Sequence, residues 1–301
     1  MERILRFNSI REYNAFNNHE THHPLVSIVD LSKADPRESR RMAYEFYVVF
    51  LKKIYCGDLR YGLDNYDYEE GTLVFLAPGQ AIGENNPENV YQPMGTALIF
   101  HPDLLNGTVL GRHMSDYTFF SYEVNEALHL SEKERQIVQD CFAKIEYETT
   151  QRIDKHSKKL ISANIELFLD YCVRFYDRQF LTRDVVNKGI LEKFEALLNE
   201  YFHSEKPQSL GLPSVSYCAD QLHLSANYFG DMIKKETGKS AQEYIQMKII
   251  NMAKERIFDL DKSVSEIAYE LGFRYPQHFS RLFKQRVGQT PNEYRILKDL
   301  N

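Results

Sequence analysis

The chain has 301 residues, 43% hydrophobic and 27% charged, with a formal net charge of −6. This ordinary globular composition excludes a disordered, collagenous or disulfide-stapled chain and leaves room for two domains. Cys56, Cys141, Cys172 and Cys218 lie far apart with no paired metal spacing, which reads as reduced thiols in a cytoplasmic protein. The longest apolar runs, such as Tyr47 to Leu51, are too short to span a bilayer, and Met1-Glu2-Arg3 opens no signal peptide, so no membrane association is expected. The charge is segregated. From Lys206 onward 14 Lys+Arg meet 11 Asp+Glu, a balance of +3, which leaves 23 against 32, or −9, for the first 205 residues.

Residues 1 to about 120 are rich in Tyr and Phe and punctuated by Gly and Pro, and they read as mainly β. Expected strands are Tyr44 to Leu51, Leu59 to Leu63, Thr72 to Leu76, Thr96 to Phe100 and Tyr117 to Tyr122, with turns at Asn65 to Gly71, Pro78-Gly79 and Asn85 to Pro87. Short strands at such spacing predict a sandwich or small barrel. Tyr44, Phe46, Tyr61, Phe75 and Tyr91 are candidate aromatic walls of a ligand pocket, since sugar rings and planar ligands stack on such faces; each of them also suits a hydrophobic core. His19, His22 and His23 form a small cluster that could bind a metal but reads rather as a polar N-terminal arm; no carboxylate-supported histidine arrangement is found among His101, His113 and His129, so no metal site and no cofactor is expected.

Ser131 to Glu134 is a capping box opening a helix with Ile137, Val138, Cys141, Phe142 and Ile145 on its buried face. A second helix, about Lys158 to Tyr176, carries Leu160, Ile161, Ile165, Phe168, Tyr171, Cys172 and Phe175, more apolar surface than one contact with a sheet requires. An antiparallel helical pair for homodimerisation is one reading; helices that only cover the β half are the other. A third helix, Asn187 to His203, leads to Glu205-Lys-Pro-Gln-Ser, expected as an interdomain linker.

The C-terminal third contains an internal repeat. Val215, Cys218, Ala219 and Leu222 match Val264, Ile267, Ala268 and Leu271 at an offset of 49, whereas Phe229, Gly238, Glu243 and Tyr244 match Phe279, Gly288, Glu293 and Tyr294 at an offset of 50, so the second unit gains one residue in its turn. Each unit reads as two short amphipathic helices around a turn, a helix-turn-helix, closed by a glycine stop and a capping box. Ala241 to Leu260, with its apolar stripe, should be a single connecting helix about 30 Å long, able to hold two reading heads in successive major grooves. The second helix of the second unit exposes Gln277, Ser280, Arg281 and Lys284, with Pro276 in its first turn and His278 toward the DNA backbone. Arg281 suits phosphate or guanine, Gln277 suits adenine and Lys284 suits phosphate. In the first unit the equivalent face is Asn227, Gly230, Asp231 and Lys234, with Ser225 as helix cap. His223 stands where the second unit has Gly272, so a left-handed backbone there would be strained.

Ile267-Ala268, Gly272-Phe273, Phe279-Ser-Arg-Leu-Phe-Lys284, Gly288, Thr290-Pro291 and Tyr294-Arg295 follow the pattern of one family, and Leu212 to Arg295 resembles the DNA-binding domain of arabinose-operon (AraC) type transcription regulators. The first half resembles, through Gly71-Thr-Leu-Val-Phe-Leu-Ala-Pro-Gly79 and its strand-rich order, the cupin-like sensing domain of sugar-responsive members. The resemblance implies an α+β protein: a cupin-like ligand-binding domain at 1–125, a helical dimerisation segment at 126–205, and at 206–301 an all-α domain of two helix-turn-helix units joined by a long helix. It implies a cytoplasmic, non-enzymatic regulator whose partners are double-stranded DNA, a small effector such as a sugar or other metabolite, a second copy of itself and, for an activator, RNA polymerase. The DNA-contacting set would be Ser225, Asn227, Asp231, Lys234, Gln277, His278, Ser280, Arg281 and Lys284. Two alternatives are a cupin-fold metal-dependent enzyme with an appended helical domain and a regulator without a ligand.

Overall fold

The computed structural model describes residues 4–52, 71–83, 86–123, 126–182, 184–259 and 261–299. Two compact units are present, residues 1–182 and 183–301. The expected strand Leu59 to Leu63, the turn at Asn65 to Gly71 and Tyr61 lie outside the described residues.

In the first unit the chain runs β1 (Leu5–Phe7), α1 (Ile10–Phe16), β2 (Val26–Asp30), β3 (Arg37–Ser39), β4 (Met42–Tyr44), β5 (Tyr47–Lys52), β6 (Thr72–Leu76), β7 (Ala81–Ile82), β8 (Asn86–Tyr91), β9 (Thr96–Phe100), α2 (Pro102–Leu105), α3 (Val109–His113), β10 (Leu128–His129), α4 (Glu132–Thr150) and α5 (Ser157–Thr182). A five-stranded sheet is ordered β10-β6-β5-β9-β2, a smaller one β1-β4-β7, and β3 pairs with β8. Central β5 is antiparallel to both neighbours, with Val48 opposite Leu76 and Ile99. Successive side chains leave a strand on opposite faces, and both faces of this sheet are covered. Val48, Phe50, Val74, Leu76, Ala97 and Ile99 pack with Phe7, Ile10, Tyr13 and Met42 on one side. On the other side Phe75 meets Phe119 at 4.5 Å and Phe120 at 5.5 Å.

That second contact explains a difference from expectation. Tyr117 to Tyr122 is not a strand but tight 3-10 turns. A strand would send Phe119 and Phe120 to opposite sides, whereas the turn lets both rings reach Phe75. Of the expected turn Asn85 to Pro87, Asn85 lies outside the described residues and Asn86 and Pro87 start β8 instead; α1, β2 and the short helices α2 and α3 are elements that periodicity did not reveal.

The capping box at Ser131 forms as expected, with the Glu134 N–H donating to the Ser131 hydroxyl and the Ser131 N–H to the Glu134 carboxylate. Helix α5 extends a turn and a half beyond the expected Tyr176, and its buried face is fastened to the sheet. Arg178 donates to the Glu134 carboxylate at 2.7 Å and to the His129 carbonyl at 2.6 Å, and Gln179 accepts from the His129 N–H at 2.8 Å. Phe142 on α4 meets Phe168 on α5 at 5.2 Å. The opposite side of this pair leaves Leu160, Leu167 and Tyr147 exposed.

The second unit is all helical: α6 (Asp184–His203), α7 (Lys206–Leu210), α8 (Val215–Gln221), α9 (Ala226–Thr237), α10 (Ala241–Arg256), α11 (Val264–Glu270), α12 (Pro276–Val287) and α13 (Pro291–Asp299). Glu205-Lys-Pro-Gln-Ser, expected as an interdomain linker, lies inside the second unit and runs into α7, whose C-terminal Gly211 lies against Gly272. Helix α6 packs into this unit, with Phe194 edge-on to Phe229 at 4.9 Å and Tyr201 to Tyr217 at 5.3 Å. Burial, and then the Glu195 carboxylate that accepts its proton, push Tyr244 up to about 12. Among the described residues no helix is long and apolar enough to cross a membrane.

Candidate nucleic-acid interface

The two helix pairs α8–α9 and α11–α12 are built by matching local signals. Ser214, Ser225, Ser240 and Ser263 each place a hydroxyl on the N–H three residues on, which satisfies donors that helix starts leave open. Both second helices stop at a left-handed glycine, Gly238 at φ 70° and Gly288 at φ 87°. The first turn passes from Leu222 to the cap Ser225, the second from Leu271 to the cap Tyr275, so the extra residue of the repeat sits in the second turn. Gly272 adopts φ 94° and His223 φ 57°. The left-handed strain expected at His223 is therefore present, at a position where a side chain costs about 1–2 kcal/mol.

Between the pairs, α10 has 16 residues and ends at Arg256, about 24 Å rather than the expected 30 Å. It stops because the chain turns under Arg295, whose guanidinium takes the carbonyls of Ile257 at 2.6 Å and Lys262 at 3.0 Å. Ile245, Ile249, Met252 and Ala253 bury its core face. At its far side Arg286 of α12 donates to Gln246 at 2.6 Å, tying the second reading helix to the connector.

Helix α12 buries Phe279 and Phe283, with Leu282 half-buried, and exposes Gln277, His278, Arg281 and Lys284; Ser280 is half-buried. Its twelve residues hold Arg281, Lys284 and Arg286 and no carboxylate. Helix α9 exposes Asn227 and Lys234, holds Asp231 half-buried, and balances Lys234 and Lys235 against Asp231 and Glu236. Ser225 is its cap, with its hydroxyl accepting from the Tyr228 N–H at 3.2 Å. The two helices thus differ: one face is cationic, the other neutral. Sequence reasoning left out Tyr275, half-exposed with its ring 5.5 Å from His278 at the mouth of α12, and exposed Arg274 beside it. The added turn residue was the signal that could have found them.

The other candidate residues are placed as follows. Tyr44, Phe46 and Phe75 are buried, Tyr44 and Phe46 with ring centres 5.9 Å apart, while Tyr91 is half-buried at the end of β8. His23 is buried and accepts from the Leu25 N–H at 3.1 Å. Among the described residues no three His, Cys, Asp or Glu side chains are arranged to hold a metal.

Paired helix-turn-helix motifs on one connecting helix define a class of nucleic-acid-reading domain. Residues 218–296 match the family model described as a helix-turn-helix domain, and this unit is an AraC-type helix-turn-helix domain. The chain is 37% identical over 126 residues to the uncharacterized transcriptional regulatory protein YesN of Bacillus subtilis, covering 40% of this chain and 32% of that one. It is 30% identical over 113 residues to the transcriptional activator RhaS of Enterobacter sp., covering 38% of each. A crystal structure of the C-terminal domain of the two-component response regulator yesN from Fusobacterium nucleatum aligns at 27% identity, covering 35% of this chain and 95% of that one, with a TM-score of 0.31. The chain spans about a third of the length of these curated relatives.

Proposed function

We propose that the chain is a sequence-specific DNA-binding transcription regulator, working in the cytoplasm, in which α9 and α12 enter successive major grooves. The observation that carries this is the exposed face of α12, where Gln277, Arg281 and Lys284 stand on a helix with three cations and no carboxylate. Arg281 and Gln277 would read base edges, Lys284 and His278 would hold the backbone, and Ser280 would sit between them. On α9, Asn227 is the reader, Lys234 the phosphate contact and Asp231 an acceptor for cytosine, with Ser225 fixing the helix start. The names of the relatives, a regulatory protein and an activator, favour this reading over an enzyme; an activator would also touch RNA polymerase.

The sheet-rich first unit is read as a cupin-like sensing domain for a small effector, with Tyr44, Phe46 and Tyr91 as its aromatic wall; Phe75, on the other face of the sheet against Phe119 and Phe120, belongs to the core there. Leu160 and Leu167, 45% and 43% exposed on α5, with Tyr147 at 63% on α4, form an apolar stripe suited to an isologous pair of helices in a homodimer. Selection of duplexes from random sequence by the purified chain tests the main reading. Two recurring sequence blocks separated by about one helical turn, 10–10.5 base pairs, are expected, and enrichment of no motif would remove the proposal.

A further inference from the structure

Two polar side-chain atoms in the described residues are shut away from solvent without a partner, Asn14 Oδ1 and Arg37 Nε; both lie in the first unit, Asn14 one helical turn before the Asn17 that Arg37 contacts. Asn14 and Asn17 lie one turn apart along α1 and its C-terminal cap, and both are fully buried. Asn14 Nδ2 donates to the Thr21 hydroxyl at 3.1 Å. Rotating the amide by a half-turn would only exchange which of its two atoms goes unpaired. Asn17 Nδ2 is spent on the Tyr13 carbonyl at 2.8 Å, and its Oδ1 accepts from Arg37 Nη1 at 3.0 Å. That one bond holds the guanidinium in place. Its flat side lies 4.5 Å from the centre of the Phe16 ring, the phenols of Tyr13 and Tyr44 are within its electrostatic reach, and Tyr91 stands opposite it across the β3–β8 pair.

No carboxylate among the described residues forms an ion pair with this arginine. Buried donors and acceptors are nearly always satisfied, and a half-buried guanidinium ordinarily finds an anion. A fork held by one amide and one ring, with Nε–H unspent, is the preformed half of a carboxylate contact. The unspent acceptor of Asn14 asks for the complementary group, a hydroxyl or ammonium hydrogen. Phe16 is 38% exposed and Tyr91 and Arg37 are half-buried, so a ligand would come to the two enclosed atoms from this side, displacing the Phe16 ring.

We propose that Arg37, with Asn14 and Asn17, is the recognition point for a small carboxylate effector that carries a hydroxyl or amino group next to its acid, the carboxylate lying on Arg37 Nε and the neighbouring hydrogen on Asn14 Oδ1. This rests on the reading of the first unit as a sensing domain and specifies the chemistry of what is sensed. A neutral sugar supplies the hydroxyls but not the charge, so the site discriminates acids from their neutral counterparts. Phe16 and Tyr91 flank the entrance and set how large a carbon skeleton is accepted.

The test is calorimetric titration of the full chain with matched probes: lactate, glycerate, malate and glucuronate on one side, glycerol and glucose on the other. At least one acid is expected to bind, with no heat from its neutral counterpart. Arg37→Met should weaken that acid at least tenfold. Arg37→Lys, which keeps the charge but removes Nε, should also lose most of the affinity, and it keeps the test decisive if the methionine variant fails to fold. Asn14→Leu should weaken a hydroxy acid more than the matching unsubstituted acid, propionate against lactate. Binding of glucose or glycerol that survives Arg37→Lys would overturn the acid specificity while leaving a sensing domain in place. Acid binding indifferent to both Arg37 variants would overturn the placement. Silence from all four acids would overturn the proposal.

Discussion

Gly238, Gly272 and Gly288 are three of the positive-φ glycines in the second unit, yet replacing them with alanine should not cost the same. Gly238 at φ 70° and Gly288 at φ 87° have nothing within 4 Å of where a Cβ would stand. An alanine there bears the left-handed strain of about 1–2 kcal/mol and regains about 0.4–1 kcal/mol by restricting the unfolded chain, for a net cost of about 1 kcal/mol. Gly272 at φ 94° bears the same strain, but its Cβ would stand 2.8 Å from the carbonyl carbon and oxygen of Gly211 and 3.0 Å from the Pro207 carbonyl oxygen. All three are backbone atoms and cannot swing aside. Against an ordinary carbon contact of roughly 3.5 Å, α7 must retreat by several tenths of an ångström, and overpacking of that kind costs about 1–3 kcal/mol. Gly272→Ala should therefore lose about 2–4 kcal/mol. Urea unfolding of residues 183–301, a compact unit with its own core, measures all three variants. Equal losses for Gly272→Ala and Gly288→Ala would refute the packing of α7 against the second turn.

Lys284→Ala should weaken operator and random DNA alike and flatten the dependence of log affinity on log salt by about one unit, as expected when a single phosphate is no longer neutralised; fluorescence anisotropy at several salt concentrations reads both. Glu243, Glu266 and Glu293 are held below the ordinary 4.5 by the Ser240 N–H, by the Ser263 hydroxyl and then its N–H, and by the Thr290 N–H. Carboxylates depressed in the folded state stabilise it above their unfolded value, and that contribution is lost as pH falls through the folded value. The stability of 183–301 should thus decline below about pH 4.5, and the triple Glu→Gln variant should decline less; parallel pH profiles would contradict this. For the homodimer, Leu167→Asp should convert the full chain from dimer to monomer in sedimentation velocity at micromolar concentration, whereas a wild-type monomer would remove the role given to the α5 stripe.

The second unit was legible because its signals are local. Serine caps, glycine stops and i, i+3, i+4 apolar spacing lie within single turns, and the one-residue change in repeat offset marks the longer second turn in the sequence itself. The length of α10 was not legible, because its end depends on Arg295, 38 residues beyond Ile257, taking that residue's carbonyl. In the first unit β6 and β9 were read to the residue, since Thr72–Leu76 and Thr96–Phe100 are bounded by glycine or proline and filled with β-formers. Val26–Asp30 is buried on both faces and shows no alternation, so no period-2 signal marked it. Helix α1 has seven residues, too few for a helical period to emerge. The Arg37 site left no trace in the sequence because Arg37 reaches Asn17 and Phe16 only after β3 returns beside α1.

The claim at the centre of this account is that α12 sits in the major groove with Gln277 and Arg281 on base edges. Affinity of Gln277→Ala and Arg281→Ala for an operator obtained by selection, measured beside random DNA at matched salt, tests it most directly. The account predicts a loss of about 1–3 kcal/mol for Gln277→Ala on the operator, little change on random DNA, and relaxed choice at a single base pair. Unchanged operator affinity in both variants would contradict it and put the reading head elsewhere on the domain.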